Sequence, residues 1–148
     1  MLAPLLLNES RCSTLELRRN TEVSEVDQSA PLSLQIETRI GFNGLEAFKE
    51  TPPEAIVILN IKNAHKPEDY PLIFEIEYQG TFLWHGDIQT MDDGKLRKLF
   101  QVNGAALLYG QMREMFSLVS SRMVGIPLPM PTLSPMKAFL NSAESNNG

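Results

Sequence analysis

Two hydrophobic periods, one before residue 84 and another after it, constrain this chain more than any other feature. Residues 32–40 alternate apolar Leu32, Leu34, Ile36 and Ile40 with polar Ser33, Gln35, Glu37 and Arg39. Period two puts the two sets on opposite faces of a half-buried strand. Residues 71–84 repeat the device, with Leu72, Phe74, Ile76 and Tyr78 against Glu75, Glu77 and Gln79, and Gly80 marks a natural place for a bulge or bend. Residues 54–62 are more uniformly apolar, which predicts a central strand. Residues 13–19 predict a weaker first strand at an edge. The polar stretch from Asn20 to Pro31 is long for a hairpin and is expected to cross over the sheet edge. Turn residues punctuate the rest at Asn43-Gly44, Pro52-Pro53 and Lys66-Pro67.

After Trp84 the period lengthens. Asp92 or Asp93 can cap a short helix near 94–101, with Leu96, Leu99 and Phe100 on its buried stripe. Asn103-Gly104 is expected to interrupt it. A longer helix over about 104–123 follows, because Ala105, Leu108, Met112, Met115, Phe116, Val119 and Met123 recur at spacings of three and four. Gly125 and Pro127 stop it. Residues 126–136 are proline-rich and predicted extended, and a short last helix is predicted near 135–141. Strands first and helices afterwards define an α+β fold: a four-stranded antiparallel sheet with a short and a long helix on one face. The helices are expected on the face of Leu72, Phe74 and Ile76, leaving Glu37, Glu75 and Glu77 on the other.

The 148 residues suit a single domain, with 1–12 and 142–148 expected as mobile ends. Hydrophobic residues at 43% can supply a core. No apolar run nears the roughly 20 residues of a membrane-spanning helix. A net charge of −5 argues against nucleic acid as the main partner. The first residues lack the basic region of a secretory signal, so a cytoplasmic protein is expected. One cysteine, Cys12, excludes an internal disulfide and a cysteine-based zinc site.

Chemistry is sparse. His85-Gly86-Asp87 is the one acid–base cluster, and no nucleophile motif accompanies it. His65 falls in a charged loop. No metal-ligating or phosphate-binding motif occurs, so no cofactor, metal or catalytic residue is expected. Methionines instead gather late, at Met112, Met115, Met123, Met130 and Met136. Methionine suits surfaces that accept varied apolar partners, and it equally suits a core or an oligomer seam.

Three segments resemble one family in order and spacing. Ile73-Phe-Glu-Ile-Glu-Tyr-Gln-Gly-Thr-Phe82 resembles the fourth strand of the SecB protein-export chaperones. Asn103-Gly-Ala-Ala-Leu-Leu-Tyr-Gly-Gln-Met-Arg-Glu114 resembles the start of their long helix. Ser121-Arg122, Gly125-Ile-Pro and Pro131-Thr-Leu-Ser-Pro resemble the helix end and the proline-rich exit. The resemblance covers roughly 71–140.

It implies a nucleotide-independent holdase for unfolded or nascent polypeptides, assembled as a dimer of dimers. Its client-binding candidates are Phe42, Phe74, Ile76, Tyr78, Phe82, Trp84, Tyr109, Met112, Leu128 and Met130. Leu108, Met115 and Val119 are candidates for the oligomer interface. The resemblance also implies an acidic sheet face that docks the translocase motor SecA, with Glu16, Ile73, Glu75 and Glu77 as the matching positions. Two alternatives stand beside export. One is a dedicated SecB-like chaperone that protects an antitoxin. The other, from a different class, is a small thioesterase-like enzyme using His85 and Asp87.

Overall fold

The computed structural model describes residues 5–23, 32–42, 53–63, 70–85 and 92–140. Four strands, β1 (Leu5–Arg19), β2 (Leu34–Phe42), β3 (Glu54–Asn63) and β4 (Leu72–Trp84), precede one helix, α1 (Asp93–Val124), and a single π-helical turn at Met136–Leu140. The sheet is antiparallel throughout, in the order β1-β4-β3-β2. The α+β class is as expected, as are the central β3 and the edge position of β1. Arg19 and Leu34 stand on opposite edge strands, about 14 Å apart at the usual strand spacing; most of the predicted crossover, residues 24–31, lies outside the described residues.

The first strand begins at Leu5, well before the predicted residue 13. Two register shifts against β4, between Leu7 and Glu9 and between Cys12 and Thr14, explain why alternation did not reveal it. Each bulge adds one residue and flips the phase. The positions sharing a face with Phe82, Tyr78, Ile76 and Phe74 are therefore Leu7, Cys12, Leu15 and Leu17. The bulges lie on β1, and β4 runs unbroken through Gly80.

The helix is also continuous, where a break at Asn103-Gly104 was predicted. Asp92 caps it, its carboxylate accepting from the Lys95 amide at 2.7 Å. Gly125 closes it in the left-handed conformation, φ 86°. Gly104 has a different role. A Cβ there would lie 3.0 Å from Val57 Cγ2 and 3.2 Å from Phe82 Cε2. One at Gly80 would lie 2.8 Å from Phe82 Cε2 and 3.0 Å from Leu108 Cδ2. The two glycines let the helix approach the sheet over Phe82, and that contact outweighs glycine's weak helix propensity.

As expected, α1 covers the face of Leu72, Phe74 and Ile76, and these join Val57, Leu59, Ile61, Phe82, Leu108, Met112 and Phe116 in one core. Phe42 and Trp84 pack on Phe100 at one end, and Tyr70 and Phe116 on Phe74 at the other. Beyond Gly125 the chain turns back along α1 as a strap. Leu128 N donates to Ser120 Oγ (2.9 Å), Tyr109 Oη to Pro131 O (2.6 Å), and both Gln101 Nε2 and Thr38 Oγ1 to Phe139 O (3.0 and 2.9 Å). The predicted last helix is thus a π turn pinned by its carbonyl.

Two buried polar atoms, Tyr70 Oη and Trp84 Nε1, have no hydrogen-bond partner among the described residues. Burial pushes the Tyr70 hydroxyl up to about 12 from 10.0. A phenol that ionises later in the folded chain than in the unfolded one contributes its stability below pH 10 and loses it as the pH climbs from 10 to 12. Tyr109 is likewise raised to about 12 by burial, with Arg113 opposing. Replacing Tyr70 with phenylalanine removes an unpaired buried donor and keeps the ring. Stability at pH 7 is expected to rise by about 1–2 kcal/mol, and part of the alkaline loss to disappear. Urea denaturation at pH 7 and pH 11 checks both.

Candidate functional site

Among the described residues, no set that could do chemistry assembles. His85 is exposed at the end of β4, and Asp87 and His65 lie outside the described residues. Among the described residues no group of three or more His, Cys, Asp or Glu could hold a metal. Cys12 donates to Thr14 O at 3.4 Å, and burial raises its pKa despite that bond, so little thiolate exists at neutral pH.

The predicted client-binding residues are brought together, but as core. Phe74, Ile76, Phe82, Trp84, Tyr109, Met112, Leu128 and Met130 are all buried, none above 6% exposed. Only Phe42 and Tyr78 are half-buried. Alternation identifies which face of a strand is apolar, not whether something covers it. Here α1 and the strap cover it. Leu108, predicted at an oligomer interface, is fully buried against the sheet. Met115 and Val119 are half-buried.

The exposed apolar side chains lie elsewhere. Leu107, Gln111, Met115 and Leu118 follow one another at spacings of four, four and three, so they share a stripe of α1. Ser10 Oγ donates to Gln111 Oε1 at 2.9 Å, which turns that stripe toward β1. Leu107 is 46% exposed and Leu118 59%. Leu15 (47%) lies on the helix-covered face of β1, whose outer edge is unpaired among the described strands. A second opening, about 450 Å³, separates the first turns of α1 from the strap and is lined by Lys95, Lys98, Leu99, Val102, Asn103 and 134–136. Sequence reasoning missed it because no single segment carries it.

The opposite sheet face carries the predicted acidic positions. Glu75, Glu16 and Ile73 line a cleft of about 590 Å³ with Arg18, Gln35 and Lys62, which also takes in Leu15, Leu17 and Phe74 of the other face. Glu16 and Glu75 are directly cross-strand, and Lys62 stands on Glu75's other side. Glu77 is already engaged, by Arg39 at 3.1 Å, Ser13 at 2.9 Å and Asn60 at 3.3 Å. Asn60 also holds Glu75 at 2.9 Å. The face is mixed in charge and internally paired.

Structures of known proteins locate this architecture. The chain superposes on the Mycobacterium tuberculosis Rv1957 SecB-like chaperone, solved in complex with a ChAD peptide from the Rv1956 HigA1 antitoxin. The TM-score is 0.61 at 16% identity, covering 88% of each chain. The fold is SecB-like. A protein of unknown function from Streptococcus agalactiae shares it at TM-score 0.54 and 14% identity, over 87% of this chain and 97% of that one. No family model matches the sequence, and no curated protein does. Within the SecB-like fold, three surfaces remain as candidates: the apolar strip between β1 and α1, the opening beside the strap, and the mixed-charge sheet face. No helix is long and apolar enough to cross a membrane among the described residues.

Proposed function

We propose that this chain is a nucleotide-independent chaperone that holds unfolded or nascent polypeptides. The observation that carries the reading is the exposure of large apolar side chains, among them Leu15, Leu107, Leu118 and Met136, on a fold shared with a SecB-like chaperone. An unfolded client hides apolar surface against such strips at about 25 cal/mol per Å². Many shallow contacts give affinity without strict sequence preference. Binding the unfolded form alone favours it by mass action and delays folding. No covalent step is involved, and the proposed working compartment is the cytoplasm.

The assembly is proposed to be a dimer of dimers, with the exposed flank of α1 at a subunit contact. Leu118→Glu is expected to lower the native mass without unfolding the monomer, because Leu118 is 59% exposed. Sedimentation measures it, and an unchanged mass removes that contact.

Delivery to SecA is the narrower export reading, with Ile73 and Glu75 at the docking positions. The likeness to a chaperone solved with an antitoxin peptide favours the second reading, a dedicated antitoxin chaperone. The paired carboxylates on the sheet face also weaken the case for a free acidic dock. The test uses immobilised chain and one slow-folding protein, presented unfolded and then native, without nucleotide. Capture of the unfolded form alone is the expected result. Capture of neither would sink the holdase reading. SecA binding that is lost on Glu75→Lys would favour export.

A further inference from the structure

The opening between α1 and the strap differs in charge from the rest of the chain. The chain as a whole carries −5, yet among the described residues no carboxylate lines this opening. Its floor and walls are apolar, Leu99, Val102, Pro135 and Met136, with Met136 60% exposed, and its rim carries Lys95 and Lys98. Lys137 is exposed at the next position of the strap. Asp92 and Asp93, at the helix start, are engaged there: Asp92 caps the Lys95 amide, and Asp93 has a partner of its own. The negative charge is instead on strand positions such as Glu16, Glu37, Glu75 and Glu77.

We infer that this opening is a docking site for a polypeptide segment with an apolar centre flanked by carboxylates. The inference deepens the holdase reading and rests on it. Charge complementarity selects this occupant. The apolar side chains of the segment's centre enter an opening of about 450 Å³ that is largely apolar, while flanking Glu or Asp meets Lys95, Lys98 and Lys137. A lysine-flanked segment meets like charge at the same rim, which costs affinity. The rim is exposed, so the selectivity is screened by salt.

The test is fluorescence anisotropy on the full chain with three short labelled peptides. They share one aliphatic centre and are flanked by glutamates, serines or lysines. The glutamate form is expected to bind about tenfold more tightly than the lysine form at low salt, as two or three rim charge pairs allow. The preference should shrink in half-molar salt, a concentration on the order of that at which the Debye length falls to a few ångströms. Lys95→Glu combined with Lys98→Glu should reverse it, and both positions are exposed, so the fold should persist. Met136→Ser, also at an exposed site, should weaken all three peptides while keeping their order. Equal affinity for all three peptides, or a preference that survives the double charge reversal, overturns the inference. Capture of unfolded protein with no peptide binding also overturns it and leaves the holdase reading standing. Failure of both capture and peptide binding removes both.

Discussion

Phe82→Ala is expected to destabilise the chain by about 3–5 kcal/mol, the range for a large aromatic truncated in a core. Phe82 has no exposed surface. Two glycine backbones flank its ring, with the Leu7, Val57 and Leu108 side chains beside them. Gly80 and Gly104 both approach it so closely that even a Cβ would crowd the ring. The part of the cavity walled by glycine backbone has no side chain that could swing in, so a cost within this range is expected. Urea denaturation followed by circular dichroism measures it. A loss below about 1 kcal/mol would show that α1 can settle into the space, and the close helix–sheet contact would have to be abandoned. Any loss of client capture in this variant would follow unfolding. The same holds for Trp84, buried edge-on against Phe100.

Phe139→Ala is expected to cost a similar amount, but locally. The Phe139 ring is buried against Tyr109, with centroids 6.0 Å apart, and its carbonyl is held by Thr38 and Gln101. It anchors the far end of a strap whose other attachments are Leu128, Met130 and the Pro131 carbonyl. A segment held by a few anchors can open without the sheet opening. Losing about 3 kcal/mol from its docking should raise the population of the opened strap by about 10²-fold. Limited proteolysis should then cut within 126–140 far faster than in the parent chain, while the far-ultraviolet spectrum changes little. Cleavage spread over the whole chain would mean that strap and sheet open as one unit.

How much of this was legible beforehand depended on whether a signal is local. Strands β2, β3 and β4 and the cap at Gly125 could be read directly, and the N-cap to one of Asp92 and Asp93, because alternation, capping oxygens and a left-handed glycine each act within a few residues. The start of β1 could not, because two bulges reversed its phase. The break predicted at Asn103-Gly104 was a misreading of Gly104. Glycine is weak in an isolated helix, but here it permits contact with Val57 and Phe82, residues far away along the chain.

The candidate site was less legible than the fold. Thr38 sits in the apolar phase of β2, between Ile36 and Ile40, and that out-of-phase hydroxyl was a signal of a buried hydrogen bond. Its partner, the Phe139 carbonyl, had no counterpart in the local pattern. By itself, then, the sequence determined the order of elements, the apolar face of the sheet and the α+β class, because these follow from periodicity and backbone preference. The tertiary structure alone decided that the apolar residues at Phe74, Trp84 and Leu128 are core, and that Leu107, Leu118 and Met136 are exposed. Burial depends on which surface lands on which. That is a sum over residues distant in the chain, and no window of sequence contains it.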